Sequence, residues 1–481
     1  NYPNIVTYDP INPADDQPEA ALYTDASGFG EKLANIGDLD GDGRDDFAVS
    51  AVSLDTVWVF VTSNGLTTPY VTITGPLFKT GERFGNALAG GDFDNDGYSD
   101  LVICAPYMDR GTAEENAGAL YLYYGIEGQG IRNDANTVDQ RLPSITPDVA
   151  LFGTPGAYFC YKLVMGDVDG NGSDDIVTSD RFTGTKKRVW GFLGGSRDRF
   201  PTSVINLDLD QTPLPGIDDR PDFALQRKST GAQTFPWTIV LADVNGDGIK
   251  DIAVSDIVTD HEGTCDRCGE VYVFKGGPGL TGQILPPDSS PPPQQLMHTL
   301  RYVTGRTNFG QTLGMVVQPR APSDTADWLL VHVSRPSHRV VVFEATSQGD
   351  TPGIVPADYP AGGLAESAYV TLDTTMWNGD QVSRIGYTMA SVGELDGHGG
   401  VDIIVGPGNT TSGTLGTFLY SFDPGDGQPG SWSFVKRAIL IGSPGFGASC
   451  VGLKGTLDTP MPGSVQFAIT SQPAGSIFIF Y

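Results

Sequence analysis

Five short acidic runs in the 481-residue sequence have the residue types and spacing for inorganic chemistry. Each places oxygen-bearing side chains at positions 1, 3, 5 and 9 of a nine-residue stretch. The sets are Asp38, Asp40, Asp42 and Asp46; Asp92, Asp94, Asp96 and Asp100; Asp167, Asp169, Asn171 and Asp175; Asp243, Asn245, Asp247 and Asp251. The fifth, Glu394, Asp396 and Asp402, has His398 at position 5. Alternating carboxylates with glycine between them make an irregular cage of hard oxygens, to which a backbone carbonyl at position 7 adds a donor. Such a cage suits Ca2+, which takes about 6–8 oxygen ligands at about 2.3–2.6 Å, better than Mg2+, which demands an octahedron and keeps its waters. Oxygen donors also disfavour soft and imidazole-preferring metals. Four loops are therefore read as Ca2+ sites and the fifth as a degenerate one. The ions are expected to act structurally, by neutralising clustered carboxylates within a turn.

The elements around the loops repeat with them. A short apolar run follows each loop, at 47–50, 101–104, 176–179, 252–255 and 403–405, and reads as a buried strand B. Eight or nine residues before position 1 stands a large apolar residue, usually followed by glycine: Phe29-Gly30, Phe84-Gly85, Phe159, Phe235 and Ile385-Gly386. Phe309-Gly310 and Phe446-Gly447 keep this start without an acidic set. Seven starts, near 29, 84, 159, 235, 309, 385 and 446, are thus spaced by about 70 residues, enough for four strands and too few for an independent domain. Strand C is read at 57–60, 119–124, 189–192, 271–274, 340–343, 417–420 and 477–480, and a fourth strand precedes each following start. The last unit lacks its fourth strand, and a run at about 19–24 is spare. Radial closure protects sheet edges. Residues 1–481 are therefore expected to form one all-β, seven-bladed β-propeller, closed by the N-terminal strand pairing into the C-terminal blade.

The Phe-Gly start, the Asp-x-Asp-x-Asp-Gly-x-x-Asp loop and small-residue endings such as Cys104-Ala105-Pro106 and Val405-Gly406-Pro407 resemble the FG-GAP repeats of integrin α-subunit propellers. The resemblance covers essentially the whole chain. It implies ligand binding on the face opposite the calcium turns. The leg modules, inserted domain and membrane helix of integrin subunits have no counterpart here. Similar repeats also occur in lectins, phospholipase accessory domains and polysaccharide lyases, so fold alone does not settle function.

Composition agrees with this architecture and narrows the partners. The 63 Gly and 34 Pro residues argue against a mainly helical chain, and only 18% charged residues argue against disorder. A net charge of −29 repels a phosphate backbone, so nucleic acid is excluded as an expected partner. No apolar run is long enough to span a membrane as a helix. The start at Asn1 and the absence of a signal-like segment suggest a processed, secreted or cell-surface chain.

On the face opposite the calcium turns the predicted loops gather a disproportionate share of the basic residues, among them Arg83, Arg181, Lys186, Lys187, Arg188 and Arg227. The last four are the expected ligand set for an anionic partner, an acidic glycan or a carboxylate-bearing protein loop. Concentration of acid on the other face accounts for the same pattern without a ligand. Tyr107, Phe182, Trp237 and Trp377 lie in or beside these loops, where they could stack on sugars or simply pack. Asn409-Thr410-Thr411 is a glycosylation sequon. Cys265 and Cys268 are expected to form a local disulfide, with Cys104 and Cys450 as small buried apolar residues.

Neither a Gly-x-Ser-x-Gly elbow, a His-Glu-x-x-His helix nor a phosphate loop is present, and the five His residues fall in no nucleophile motif. The expectation is a calcium-stabilised extracellular adhesion or binding propeller that recognises protein or glycan, with self-assembly as a further option. The alternative is a calcium-dependent lyase or hydrolase acting on polysaccharide, since paired catalytic groups leave no linear signature.

Overall fold

The computed structural model describes residues 4–7, 20–23, 28–62, 68–76, 81–111, 116–132, 134–135, 141–181, 188–200, 202–209, 212–214, 219–227, 234–258, 267–280, 284–285, 294–302, 308–317, 326–334, 338–343, 345–346, 353–354, 358–359, 369–372, 385–393, 401–407, 415–423, 433–442, 446–452, 467–471 and 476–480.

Short apolar runs separated by Gly-rich turns fold into antiparallel sheets whose strands follow one another in chain order. Blade 1 is Lys32–Gly37, Asp46–Ala51, Thr56–Phe60 and Val71–Thr74, strands A to D. Blade 2 is Leu88–Gly91, Asp100–Ala105, Ala119–Tyr123 and Val149–Phe152. Blade 3 is Leu163–Gly166, Asp175–Ser179, Arg188–Phe192 and Phe223–Gln226. Blade 4 is Ile239–Ala242, Asp251–Asp256, Glu270–Phe274 and Leu296–Tyr302. Blade 5 is Phe309–Val316, Trp328–Val333, Arg339–Phe343 and Tyr369–Thr371. Blade 6 is Thr388–Gly393, Asp402–Gly406, Leu415–Asp423 and Ser433–Gly442.

The expected count of seven like blades is corrected here: six blades are self-contained runs of chain. The seventh start yields three strands, Phe446–Gly452, Phe467–Ser471 and Ser476–Phe480, which make no blade of their own. They share a composite five-stranded sheet with Ala20–Tyr23 and Asn4–Thr7, in which Leu22 pairs with Ile477. Strand A of each blade touches strand A of the next, and Phe446–Gly452 bridges strand A of blade 6 to that of blade 1.

The aromatic residue at each start is the wedge that packs a blade. Phe29, Phe84, Phe159, Phe235 and Phe309 are fully buried. Each lies against an aromatic of strand C in its own blade: Trp58, Tyr121, Phe192, Tyr272 and Phe343, at centroid distances of 5.0, 5.8, 6.0, 6.2 and 6.1 Å. The glycine that follows has a separate reason. Gly85 sits at φ +81, and a Cβ there would meet Ser50 Cβ at 2.7 Å and Val57 at 2.9 Å in the preceding blade. Gly310, at φ +84, faces Ser255 and Val271 in the same way. Glycine is thus required by both the left-handed backbone and the close approach of the neighbouring blade.

Blade 3 breaks this rule. Cys160 stands where the glycine would, at φ +63, and is disulfide-bonded to Cys104, with Cα atoms 5.3 Å apart. Cys104 occupies in strand B of blade 2 the place of Ser50 in blade 1 and Ser255 in blade 4. A side chain that elsewhere would collide becomes a covalent staple between blades. This corrects the reading of Cys104 as a small buried apolar residue. Cys450 is free, and burial pushes its thiol up to about 12.

Three blades carry an additional outer strand that the sequence reading did not contain. Val204–Asn206, from the C–D segment of blade 3, pairs parallel with strand D of blade 2. Ile284–Leu285, from blade 4, does the same on blade 3, and Asp358–Tyr359, from blade 5, on blade 4.

Candidate metal centre

Strand A delivers position 1 of each acidic loop and strand B begins at position 9, so every loop is an A–B turn at one end of its blade. Position 1 organises the turn by accepting backbone N–H groups. Asp38 Oδ1 takes those of Gly41 and Asp42 at 2.7 and 3.0 Å, and its Oδ2 takes that of Gly43 at 2.8 Å. Asp92, Asp167 and Asp243 repeat the pattern, with Gly97, Gly172 and Gly248 at 2.9, 2.9 and 2.8 Å. Position 5 accepts the N–H two residues on, from Arg44, Tyr98, Ser173 and Ile249.

Position 9 does something its spacing did not reveal. Asp46, Asp100, Asp175 and Asp251 are buried, and each accepts the N–H of position 2 at 2.8–3.0 Å. The other oxygen of each accepts an N–H just beyond strand C of the same blade: Thr62, Gly125, Gly194 and Gly276, at 2.8–2.9 Å. One carboxylate thereby ties the loop to two strands. Burial first, with the neighbouring carboxylates adding to it and backbone N–H donors opposing it, raises these groups to about 7 for Asp46 and Asp251 and about 8 for Asp100 and Asp175. Such shifts mark negative charge held without enough compensation from the chain itself.

The loops are also joined to one another. The carbonyl of position 1 accepts the N–H of position 8 in the next blade: Asp38 from Ser99, Asp92 from Asp174 and Asp167 from Lys250, all at 2.8 Å. Asp243 accepts from Asp327 at 2.7 Å, although blade 5 has Trp328 where position 9 would fall.

Three loops bring one oxygen from each of three carboxylates within 4.8 Å of one another: Asp38, Asp40 and Asp42; Asp92, Asp94 and Asp96; Asp167, Asp169 and Asp175. Asp94 Oδ1 is buried with no hydrogen-bond partner. An all-oxygen donor set, crowded carboxylates and an orphaned buried oxygen fit a hard divalent cation. The fourth loop differs. Asn245 turns its amide nitrogen onto Asp251 at 3.2 and 3.3 Å, and Lys275 reaches Asp247 at 2.9 Å. In the second loop a cation of the chain already competes. Arg197, from the C–D segment of blade 3, donates to Asp94, to Asp96 at 2.7 Å and to the Gly125 carbonyl at 3.1 Å. Its guanidinium lies 5.0 Å from the Tyr124 ring centroid. The sequence held no sign of this, because Arg197 belongs to another repeat and to a variable segment.

Of the fifth loop, Asp402 is described and buried, while Glu394 and Asp396 lie outside the described residues. The same is true of Lys186, Lys187, Cys265 and Asn409. Cys268 is disulfide-bonded. Arg188 donates to the Leu209 carbonyl at 2.7 Å and lies over Trp190. Arg227 is buried and paired with Asp256 at 2.7 Å, over Tyr272. Arg188 is thus engaged within blade 3, and Arg227 ties the end of blade 3 to blade 4. Trp237 donates its indole N–H to the Gln311 carbonyl at 2.9 Å, a packing role.

Comparison with known proteins agrees with the repeat. An FG-GAP repeat model matches residues 84–123 and an FG-GAP-like repeat model matches 38–103. Integrin alpha-PS5 of Drosophila melanogaster is 31% identical over 154 residues, 29% of this chain and 14% of that protein. Integrin alpha-7 of Mus musculus is 27% identical over 191 residues, covering 39% and 13%, and human integrin alpha-IIb is 30% identical over 168 residues, covering 32% and 14%. The match therefore spans about a seventh of these relatives. A solved structure of BBS1N in complex with ARL6DN aligns over 95% of this chain and 96% of its own, at 11% identity and a TM-score of 0.44. The repeats, the integrin relatives and the ring of sheets together define an integrin-like FG-GAP propeller.

Proposed function

We infer that the chain is an extracellular binding module, a calcium-stabilised propeller that presents the face opposite its carboxylate turns to a protein or glycan. The observation that carries this reading is the convergence of three carboxylate triplets at equivalent A–B turns in an integrin-like FG-GAP repeat. When bound, Ca2+ supplies the positive charge these turns lack, held by Asp38, Asp40 and Asp42, by Asp92, Asp94 and Asp96, and by Asp167, Asp169 and Asp175. The fourth loop, with Asp243, Asn245 and Asp247, is a weaker member. The Cys104–Cys160 disulfide suits an oxidising compartment, as do the cell-surface relatives. Engagement of Arg188 and Arg227 within the fold moves the anionic-ligand reading away from those two residues. A repeating subunit of an extracellular assembly is a finer form of the same reading, tested by sedimentation with and without calcium.

Thermal unfolding tests the metal. Stabilisation by a bound ion follows mass action, about 2.7 kcal/mol per site at a hundredfold excess over Kd. Millimolar Ca2+ is expected to raise the melting temperature by several degrees over chelated protein, and Mg2+ by much less. Identical melts in Ca2+ and chelator would remove the reading.

A further inference from the structure

At the end of the ring opposite the carboxylate turns, four cations from blades 1 to 3 are gathered around three tyrosines. Lys32 opens strand A of blade 1, and Lys162 immediately precedes strand A of blade 3. Arg83 precedes the Phe84 wedge of blade 2, and Arg181 follows strand B of blade 3. The Arg181 guanidinium lies 5.5 Å from the ring centroid of Tyr107, 5.2 Å from Tyr158 and 5.9 Å from Tyr161. The Arg83 guanidinium is 5.8 Å from the Tyr107 ring centroid, and Lys162 Nζ is 5.8 Å from that of Tyr161. Lys32 completes the circuit, close enough to Arg83 and Lys162 for each pair to repel. Burial first, then Arg83, holds the Lys32 ammonium below its ordinary value, and burial, then Lys32, brings Lys162 down to about 8. Glu31 offsets only part of this at Lys32.

None of the four cations makes an ion pair with a described residue. Arg197, Arg199, Arg227 and Lys250 by contrast each meet a carboxylate at 2.7–2.9 Å. In a chain of net charge −29 carboxylates are plentiful, so four neighbouring cations that meet tyrosine rings and no carboxylate keep a mutual repulsion that only the cation–π contacts offset. Lys32 and Arg83 are exposed and Lys162, Arg181 and the three tyrosines half-buried, so the desolvation felt by the ammonium groups is that of a recess which solvent, and a ligand, can still reach. The aromatic faces and edges between the charges suit the flat faces of sugar rings as well as the cations themselves. The acidity of the remaining surface repels a broad polyanion and favours a narrow one that touches this rim alone.

We propose that this rim, built by Lys32, Arg83, Lys162 and Arg181 around Tyr107, Tyr158 and Tyr161, is a binding site for the carboxylates of a uronate-bearing polysaccharide. The proposal rests on the binding-propeller reading and names its ligand class. The test uses the full chain in Ca2+ with polygalacturonate, heparin and poly-glutamate, read by calorimetry or affinity electrophoresis. Polygalacturonate is expected to bind, and Arg181→Gln with Lys162→Gln to weaken it at least about tenfold, since each hydrogen bond to a charged group is worth roughly that factor. Lys32→Gln with Lys162→Gln is expected to raise the melting temperature without ligand while weakening binding, an outcome that a purely structural role for these lysines does not give. Unchanged affinity in both variants, or no binding of any polyanion, overturns the site. Binding of poly-glutamate alone through the same residues overturns the glycan in favour of an acidic protein segment. Binding of heparin in preference to polygalacturonate moves the ligand from carboxylate to sulfate and likewise overturns it. The calcium-dependent melt is independent of all four cations, so a failure here leaves the binding-propeller reading to be judged on its own test.

Discussion

Individual carboxylates in the acidic loops carry unlike duties. Position 1 shapes the turn through backbone N–H groups and still joins the carboxylate cluster, position 9 fastens the turn to the sheet, and positions 3 and 5 supply further oxygens to the cluster in the first two loops. That oxygen-bearing side chains would gather at these turns was legible from spacing, because a period of two along a Gly-punctuated turn puts side chains on one side. The division of labour was not, since it depends on N–H groups from strand C, which are distant in sequence. Arg197 sharpens the point at the second loop, where its guanidinium holds Asp94 and Asp96. A cation binding there would have to displace this side chain, and the guanidinium is half exposed, so the competition would be moderated by solvent. Arg197→Gln is expected to tighten terbium binding at the loop beside Tyr98 by about three- to tenfold and to lower the melting temperature of chelated protein. Equal terbium titrations for the two proteins would show that the arginine does not compete.

Blades meet through the start wedge and the residue after it. The wedges Phe29, Phe84, Phe159, Phe235 and Phe309 were readable as a repeat, because burial of a large apolar group at fixed phase leaves a linear trace. The Cys104–Cys160 staple was not readable. Nothing in a spacing of 56 residues shows that Cys160 takes the glycine position and that Cys104 lies opposite it. The geometry does say how to remove it. Cys160→Gly with Cys104→Ser recreates the glycine–serine contact that joins Gly85 to Ser50 and Gly310 to Ser255. That double variant is expected to fold, to respond less to reductant than the parent because only the Cys268 disulfide remains, and to be less stable than the oxidised protein by about 3 kcal/mol. Urea unfolding with and without dithiothreitol measures both, and a variant as stable as the oxidised parent would refute the staple's role.

Across the whole molecule, the unexpected feature is that blades 2, 3 and 4 each receive an outer strand from the following blade. These strands are two or three residues long, too short for any alternation to register in a sequence. In the closing sheet the run at about 19–24 was read and Asn4–Thr7, of the same length as Ala20–Tyr23, was not. Strand D of blade 2 is covered along Ala150, Leu151 and Phe152 by Val204, Ile205 and Asn206, with Ile205 buried. Ile205→Pro removes a donor and the packing at once, and is expected to cost about 3 kcal/mol and to leave an open edge that pairs with a second molecule. Light scattering coupled to gel filtration reads the second effect, and a strictly monomeric variant would show that the outer strand is ornamental.

Borrowing of this kind also imposes a schedule. A chain emerging from the ribosome makes strand D of blade 2 well before Val204–Asn206 exists to cover it, and likewise for blades 3 and 4. The earliest strands, Asn4–Thr7 and Ala20–Tyr23, wait longest, for Ser476–Phe480. While blades 2 to 4 are being made, therefore, an uncovered edge travels along the nascent polypeptide one unit behind synthesis, and the edge of Ala20–Tyr23 is covered only when Ser476–Phe480 has been made.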